Sequence, residues 1–110
     1  MVDITINPDD LPWQTIREML FTKNLATEIL GKLRIDIHKA EPNAKFPEHI
    51  HTNNEWVYVL KGSIIDQTGE YHAGQFFINK KDSKHYVHAG ANGYEILILS
   101  NGEWLQEEKK

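Results

Sequence analysis

The sequence predicts a small all-β domain, and three observations support this prediction. From about residue 26 onward, apolar and polar residues alternate with a period near two, which is typical of half-buried strands. The predicted strands are short, recur every 8–12 residues or so, and are separated by Gly and Asn. No segment between them is long enough for the helical crossover that a parallel sheet requires. A β-sandwich or a small barrel satisfies all three observations.

The first half of the chain contains one predicted helical segment and two predicted strands. "IREML" (16–20) is consistent with one or two helical turns. "EWVYVLKGSIID" (55–66) is rich in β-branched and aromatic residues and is interrupted by Gly62. "KLRIDIH" (32–38) alternates between two faces. One face holds Leu33, Ile35 and Ile37, and the other holds Arg34, Asp36 and His38.

The second half adds shorter strands and more turns. "QTGEYHAG" (67–74) predicts a short strand between two glycine turns, and "QFFI" (75–78) predicts another strand. "NKKDSKH" (79–85) is a polar turn, and "HYVHAGANG" (85–93) is a short strand followed by a glycine-rich loop. "YEILILS" (94–100) is the most strongly apolar run and predicts a buried strand.

Length and composition restrict the class of protein. The 110 residues form one domain, 1–110, and the net charge of −4 gives no support to nucleic-acid binding. The absence of cysteine excludes disulfides and a thiol nucleophile. We find no signal peptide at the N-terminus and no apolar run approaching the ~18 residues of a membrane span. We therefore expect a cytoplasmic protein with neither membrane nor nucleic acid as a partner.

Side chains with metal-ligand chemistry lead into the strand that begins at residue 55. His49, His51 and Glu55 are all odd-numbered, so in an extended chain their side chains share one face. Imidazole nitrogen and carboxylate oxygen are suitable ligands for Zn, Fe, Mn, Ni or Cu. A His-x-His pair also occurs on strands that merely have a polar face, so the pair by itself leaves both interpretations open.

A fourth ligand would come from a neighbouring strand. His85 and His88 follow the polar turn and differ in parity, so a regular strand directs only one of them inward. His72 is a weaker candidate. We expect His38 and His72 on the surface, whereas for His88 a supporting role beside the site and plain strand surface are equally open.

The longer pattern His49-x-His51-x3-Glu55-x6-Gly62 matches the first motif of the cupin family. The second cupin motif, Gly-x5-Pro-x-Gly-x2-His-x3-Asn, is matched at Gly74 and His85. Three of its other positions hold Lys80, Asp82 and Ala89. Asn43 replaces the Gly that opens the first motif. Asn and Asp tolerate the left-handed backbone better than other non-glycine residues, so the turns at Asn43 and Asp82 are expected to be retained.

The sequence is similar in particular to the cupin domain of ChrR-type anti-sigma factors. The shared features are "F-P-x-H-x-H" from Phe46, "V-L-x-G" from Val59, "D-x-x-G-x-Y-x-x-G" from Asp66 and "S-x-H" from Ser83. The resemblance covers residues 12–100 or so. It implies an antiparallel double-stranded β-helix, also called a jelly-roll barrel, with a cupin core at about 25–102.

The resemblance also implies a metal site. In that family the corresponding four residues bind zinc, and here they are His49, His51, Glu55 and His85. Ligand chemistry alone also allows Fe, Mn or Ni. The anti-sigma factors carry a separate helical domain with a Cys-containing zinc site, and this sequence has neither, so we expect no direct binding to a sigma factor. A related branch contains small metal dioxygenases that act on diketones.

Two classes of function follow from the resemblance. One is a ligand-binding or sensing module with a small molecule in the barrel, and the other is a metal-dependent enzyme, for which a dioxygenase is favoured over an isomerase. The motifs contain no recognisable substrate-fixing Arg, which favours the binding module. We assign no catalytic residue and no organic cofactor.

The strand pattern also predicts whether several large apolar side chains lie in the core or in an interface. Alternation with a period of two places Trp56, Tyr58 and Leu60 on one face, where they either form a homodimer interface or fill a second face of the core. We favour a homodimer because cupins commonly pair through their sheets. The residues interpreted as core are Tyr71, Phe76, Phe77 and Trp104.

Overall fold

The computed structural model describes residues 2–28 and 32–101, which form an almost entirely β structure. One short 3-10 helix, Pro8–Asp10, precedes nine strands in these residues. The strands are β1 (Gln14–Arg17), β2 (Leu20–Glu28), β3 (Leu33–Ala40), β4 (His49–Ile50), β5 (Glu55–Asp66), β6 (Gly69–His72), β7 (Phe76–Asn79), β8 (Lys84–His85) and β9 (His88–Asn101). No helix in the described residues is long and apolar enough to cross a membrane. The predicted all-β class is confirmed.

The strands form one large sheet and one small ribbon. Seven strands join in the order β1-β2-β3-β9-β5-β6, with β7 paired to β5 as a branch. β4 and β8 pair with each other, and we call this two-stranded unit the ribbon. Every pairing is antiparallel, as the short connections require.

The core lies where β5 and β9 cross the middle of the large sheet. Val57 pairs with Ile98 and Val59 with Ile96, and all four side chains are buried. Burying an aliphatic side chain of this kind stabilises the fold by about 1.5–3 kcal/mol. The odd-numbered side chains of β5 therefore point inward as far as Val59, which fixes the direction of Glu55 at the start of the same strand.

The helical prediction for residues 16–20 is wrong, because these residues form the turn of the β1–β2 hairpin. Arg17 pairs with Leu20, and Met19 adopts the left-handed conformation with φ of 67°. From Leu20 onward β2 pairs continuously with β3 apart from one bulge. The apolar spacing in this segment suits both a helix and a hairpin, and pairing to β3 decides between them because tertiary contacts override local propensity.

The turns in which this sequence departs from the cupin motifs keep their backbone shape. Asn43 has φ of 60° and Asp82 has φ of 73°, so both take the left-handed conformation expected of them. Gly62 also has positive φ, and a Cβ there would collide with the carbonyl oxygen of Gly93. Only glycine allows β5 and β9 to approach so closely at this point.

Two of the four predicted core aromatics are in the core. Tyr71 and Phe77 pack against the buried cluster, with their ring centroids 5.1 Å apart. Phe76 is 57% exposed, so its assignment to the core is wrong. The reason is the period of two along β7, which turns Phe77 inward and Phe76 outward. Trp104 lies outside the described residues.

The outer face of β5 does not fill a second core. Trp56 is half-buried, whereas Tyr58 and Leu60 are exposed. Phe76 and Ile78 of β7 are register partners of Tyr58 and Trp56, and both are exposed too. These residues form one apolar surface, which we call the outer apolar face; a homodimer through it stays a prediction.

Candidate functional site

The ribbon brings three histidines together. His49 on β4 and His85 on β8 are register partners. The ribbon continues beyond the two strands, because the amide of His51 donates to the carbonyl of Ser83 (2.9 Å) and the carbonyl of His51 accepts from the amide of Asp82 (2.7 Å). His51 is therefore held as firmly as the residues that belong to a strand.

The three imidazole rings are in contact. The ring centroids of His49 and His51 are 4.8 Å apart, and those of His51 and His85 are 4.7 Å apart. His49 and His85 lie further from each other, at 6.5 Å. His51 and His85 are buried, whereas His49 is exposed. Partial burial of the His49 ring, and then the charge of the neighbouring His51, lower the pKa of His49. This favours the neutral imidazole, which is the form that ligates metals.

Glu55 joins this cluster from the first position of β5. Its Oε1 lies 3.4 Å from Nδ1 of His51. Burial raises the pKa of Glu55, but the hydrogen bond and charge of His51 outweigh this effect, so the pKa lies below its usual value. Glu55 is therefore an ionised carboxylate. Burial and then the charge of Glu55 raise the pKa of Tyr94 on the opposite wall, which keeps that phenol neutral.

The His85 ring is oriented by Asp66, the last residue of β5. Oδ2 of Asp66 lies 2.8 Å from Nδ1 of His85, and Oδ1 accepts from the amide of Thr68 (2.7 Å). Burial raises the pKa of Asp66, but the hydrogen bonds from Thr68 and His85 outweigh this effect and lower it. An ionised Asp66 requires the proton on Nδ1 of His85 and leaves a lone pair on Nε2. Nε2 lies 3.0 Å from Oγ of Ser83, whose hydroxyl donates to the carbonyl of Lys80 (2.6 Å).

The neighbouring residue of the same turn ties the large sheet to the ribbon. The side-chain amide of Gln67 donates to the carbonyl of Lys84 (2.7 Å), and its oxygen accepts from the amide of Tyr86 (3.1 Å). The turn after β5 therefore holds both the backbone of β8 and the His85 ring.

One atom in the cluster lacks a partner. Nε2 of His51 is buried without a hydrogen bond, and a buried polar atom left in this state costs free energy. A divalent ion bound by His51 and its neighbours would remove that cost. The donor set of three imidazoles and a carboxylate suits such an ion. The residues present thus fit a metal chemically.

The side chains do not already have the geometry of a formed metal site. Within residues 2–28 and 32–101, no group of three or more His, Asp or Glu side chains is arranged to hold an ion. In this arrangement Nε2 of His85 faces Ser83, and Nδ1 of His51 faces Glu55. Ion binding at Nε2 of His85 requires the Ser83 side chain to change rotamer, which breaks its hydrogen bond to the carbonyl of Lys80.

A cavity of about 280 Å³ opens beside the cluster. His49, His51 and Glu55 line its polar side. The opposite walls are apolar and come from strands of the large sheet and from the segments before β4 and after β8. They include Leu20, Phe46, Ile64, Phe77, Val87, Ile96 and Ile98. A mainly apolar cavity with a few convergent polar groups is the usual form of a small-molecule site.

The expectation that His38 lies on the surface is wrong. His38 is half-buried and lines this cavity together with an adjoining polar cavity, also of about 280 Å³. Burial lowers its pKa against the opposing effect of Asp36 and Glu55. The polar face of β3 turns inward, where Asp36 accepts hydrogen bonds from Asn24 (2.9 Å) and Arg34 (3.1 Å). The alternating pattern was recognised, but which of its faces points inward depends on the barrel.

The other two histidines stand apart from the cluster. His72 is exposed at the end of β6, as expected. His88 begins β9, is half-buried and pairs with Ile65 and, through an isolated bridge, with Lys45. Of the two candidates that differ in parity, His85 is the one whose ring contacts His51.

Three residues near the site were not predicted to have a role there. Asp66 was noted only as part of a hairpin motif, and His38 only as part of a polar strand face. Arg17 lines the cavity from the end of β1. Arg17 was missed in the sequence analysis because residues 16–20 were interpreted as helical. For Asp66, the motif shared with other cupins was the signal that could have revealed its contact with His85.

The fold and the sequence agree with known cupins. A family model described as the ChrR cupin-like domain matches residues 1–105. A search of the curated proteins finds no match. Among solved structures, an RmlC-like cupin protein from Ralstonia eutropha JMP134 has a TM-score of 0.78 and 19% identity, and the match covers 89% of this chain and 68% of that chain.

Two further structures are similar to this one. The crystal structure of Rhodobacter sphaeroides SigE in complex with the anti-sigma ChrR matches with a TM-score of 0.73 and 22% identity, over 87% of this chain and 51% of that chain. A putative acetylacetone dioxygenase from Methylibium petroleiphilum PM1 matches with a TM-score of 0.78 and 13% identity, over 93% of this chain and 78% of that chain. At these identities the similarity establishes the cupin fold alone.

Proposed function

The chain belongs to the ChrR cupin-like domain family, and on that premise we propose that it is a metal-binding cupin that takes up a small ligand in its barrel. His49, His51, Glu55 and His85 would hold one divalent ion. The observation that carries this proposal is the buried Nε2 of His51, which lacks a partner in the middle of a cluster of metal-ligating side chains. The cavity beside the cluster would hold the ligand.

We infer that the ion is zinc and that its role is to stabilise the barrel. Three neutral imidazoles and one carboxylate form a complete tetrahedral ligand set for zinc, although iron, manganese and nickel are compatible with the same donors. Glu55 would offset part of the charge of the ion in this partly buried site. The bound ion would be a Lewis acid without redox chemistry.

Elemental analysis of protein purified without an affinity tag tests this proposal directly. We expect about one zinc ion per chain, because the four side chains form one cluster. His72→Ala should keep the metal, since His72 is exposed and outside the cluster. A wild-type protein that neither retains a divalent ion nor binds one at micromolar concentration would contradict the proposal.

The second candidate function is a metal-dependent dioxygenase. The observation that favours it is the apolar cavity beside the cluster, which suits a small apolar substrate. This function requires iron, because zinc has no redox chemistry. We expect Fe(II)-loaded protein given a 1,3-diketone to consume no more oxygen than a metal-free control. Rapid, saturable oxygen uptake that disappears in His85→Ala would establish the enzyme instead.

We further propose that two copies associate through the outer apolar face. Tyr58 and Leu60 of β5 and Phe76 and Ile78 of β7 are between 38% and 57% exposed and adjoin one another. Contiguous apolar surface of this kind is uncommon on a monomer unless it is an interaction site. The two barrels would pair sheet to sheet, with the cavities outside the interface.

A further inference from the structure

We propose that Arg17 anchors the carboxylate of a small, mainly apolar carboxylic acid that fills the cavity beside the histidine cluster. This proposal rests on the ligand-binding function proposed above and specifies the chemical class of the ligand. It starts from the charges in the cavity wall. In the part of the chain that the structure describes, Arg17 is the only lysine or arginine that lines this cavity.

The local backbone explains how Arg17 reaches the cavity. Adjacent residues of a regular strand point to opposite faces, yet both Ile16 and Arg17 line the cavity. The β1–β2 register shifts between Thr15 and Arg17. Such a bulge redirects one side chain, and here it places the guanidinium group and an apolar residue on the same wall.

The guanidinium group of Arg17 is available to a ligand. Arg17 is exposed, and its guanidinium group makes no hydrogen bond or ion pair with another residue of 2–28 or 32–101. Glu48 also lines the cavity, but its carboxylate is a hydrogen-bond partner of the Tyr86 hydroxyl, which raises the pKa of Tyr86. The other carboxylate in the wall is Glu55, which faces His51. Among the side chains of the wall, Arg17 is the one that carries a permanent positive charge.

The size and polarity of the cavity define the rest of the ligand. A volume of about 280 Å³ lies at the lower limit of cavities that hold drug-sized molecules, so the ligand is small. The apolar walls favour a hydrocarbon or aromatic body. Arginine pairs with a carboxylate through two parallel hydrogen bonds. A single guanidinium group in a wall that also contains Glu48 and Glu55 favours a singly charged carboxylate over a doubly charged phosphate.

Binding of matched acids and amides tests this inference. The probes are benzoate and hexanoate, each compared by isothermal titration calorimetry with its neutral amide of nearly the same shape. We expect each acid to bind at least tenfold more tightly than its amide. Arg17→Gln should remove this preference while leaving the affinity for the amides unchanged, and Arg17→Lys should retain part of it. Lys80→Gln is the matched control, because Lys80 is exposed and does not line the cavity.

A parallel set of titrations with metal-loaded and metal-stripped protein identifies where the carboxylate binds. If acid affinity depends on metal but not on Arg17, the carboxylate binds the ion, so the role of Arg17 is overturned while the proposed metal function stands. Equal binding of acids and amides, or binding of neither, also overturns the assignment of Arg17. Metal content, measured separately in each variant, reports on the proposed function independently.

Discussion

The ribbon and the seven-stranded sheet meet at the histidine cluster, but they are stabilised very differently. β4 and β8 contribute two residues each, and Ile50 on β4 is 53% exposed. β5 and β9 instead pair along most of their lengths, and Val57 and Val59 are essentially inaccessible to solvent. Local stability in a protein follows buried apolar contacts and protected hydrogen bonds. The ribbon is therefore the weaker of the two regions.

The proposed ligands are divided between these regions. His49, His51 and His85 belong to the ribbon and its extension, whereas Glu55 begins β5 in the large sheet. An ion bound by all four would connect the weak region to the strong one. Its contribution to stability should therefore appear mainly in the ribbon, and the following predictions test that difference.

The largest effect is expected from His51→Ala. We expect the variant to lose its metal, and the metal-loaded wild type to be more stable by about 2.7 kcal/mol when free metal is at 100 times Kd. For a domain of this size that difference corresponds to roughly 10 °C or more in Tm. Differential scanning calorimetry and elemental analysis measure both quantities.

The same substitution should cost less stability in metal-stripped protein, where only the packing of the buried ring and its contact with Glu55 are lost. This metal-free comparison is the control for a general loss of packing. An equal loss of stability with and without metal would show that His51 acts through packing alone.

Metal removal should loosen the ribbon more than the sheet. We expect amide hydrogen exchange at His51 and Asp82, whose amides bond across the ribbon, to accelerate by tenfold or more in chelator-treated protein. The amides of Val57 and Val59 should change little, because their strand is held by β9. Exchange mass spectrometry with peptide resolution makes this measurement. Uniform acceleration across both regions would contradict the division between ribbon and sheet.

A smaller effect is expected from Asp66→Asn. Asparagine can still accept from the Thr68 amide, but its NH2 group cannot accept the proton of Nδ1 in His85 as the carboxylate does. Loss of such a supporting hydrogen bond typically weakens metal binding by about 10–100-fold. Competition with a chelator measures the affinity. Thr68→Val removes a hydroxyl contact of Asp66 but keeps the contact of Asp66 with His85, so its effect should be smaller; unchanged affinity in Asp66→Asn would refute the orienting role.

Phe76→Lys should have the smallest effect on the site, but it should change the assembly. This substitution introduces a charge into the outer apolar face, far from the ribbon, and should convert the proposed dimer to a monomer by sedimentation velocity. Ile50→Lys is the matched control, because Ile50 is similarly exposed but lies on the ribbon. Wild-type protein that sediments only as a 12.8 kDa species would exclude the dimer.

The sequence predicts this structure well wherever the information is local. Period-two alternation was enough to identify β3, and the spacing of His49, His51 and Glu55 was enough to place three side chains on one face. Composition identified β5, and the apolar run at 94–100 identified the second half of β9, whose first half was wrongly predicted as a glycine-rich loop. His85 required resemblance to a known motif, because its distance from His51 depends on strand pairing. His38 and Arg17 were missed, since the first depends on which face of β3 the barrel encloses and the second on a bulge.

Surface turns between hairpin strands are ordinarily convenient places to insert a tag, open a circular permutant or exchange a loop between homologues. The turn that follows β5 is exposed at Gln67 and Thr68 and would be an obvious choice. Here, however, Asp66 contacts the ring of His85 and Gln67 holds the backbone on both sides of that residue. Engineering at this turn would be transmitted to the cluster. A reporter or graft is better placed at the turn around Gly74, where the space is open, provided that the glycine itself is kept because its φ is 92°.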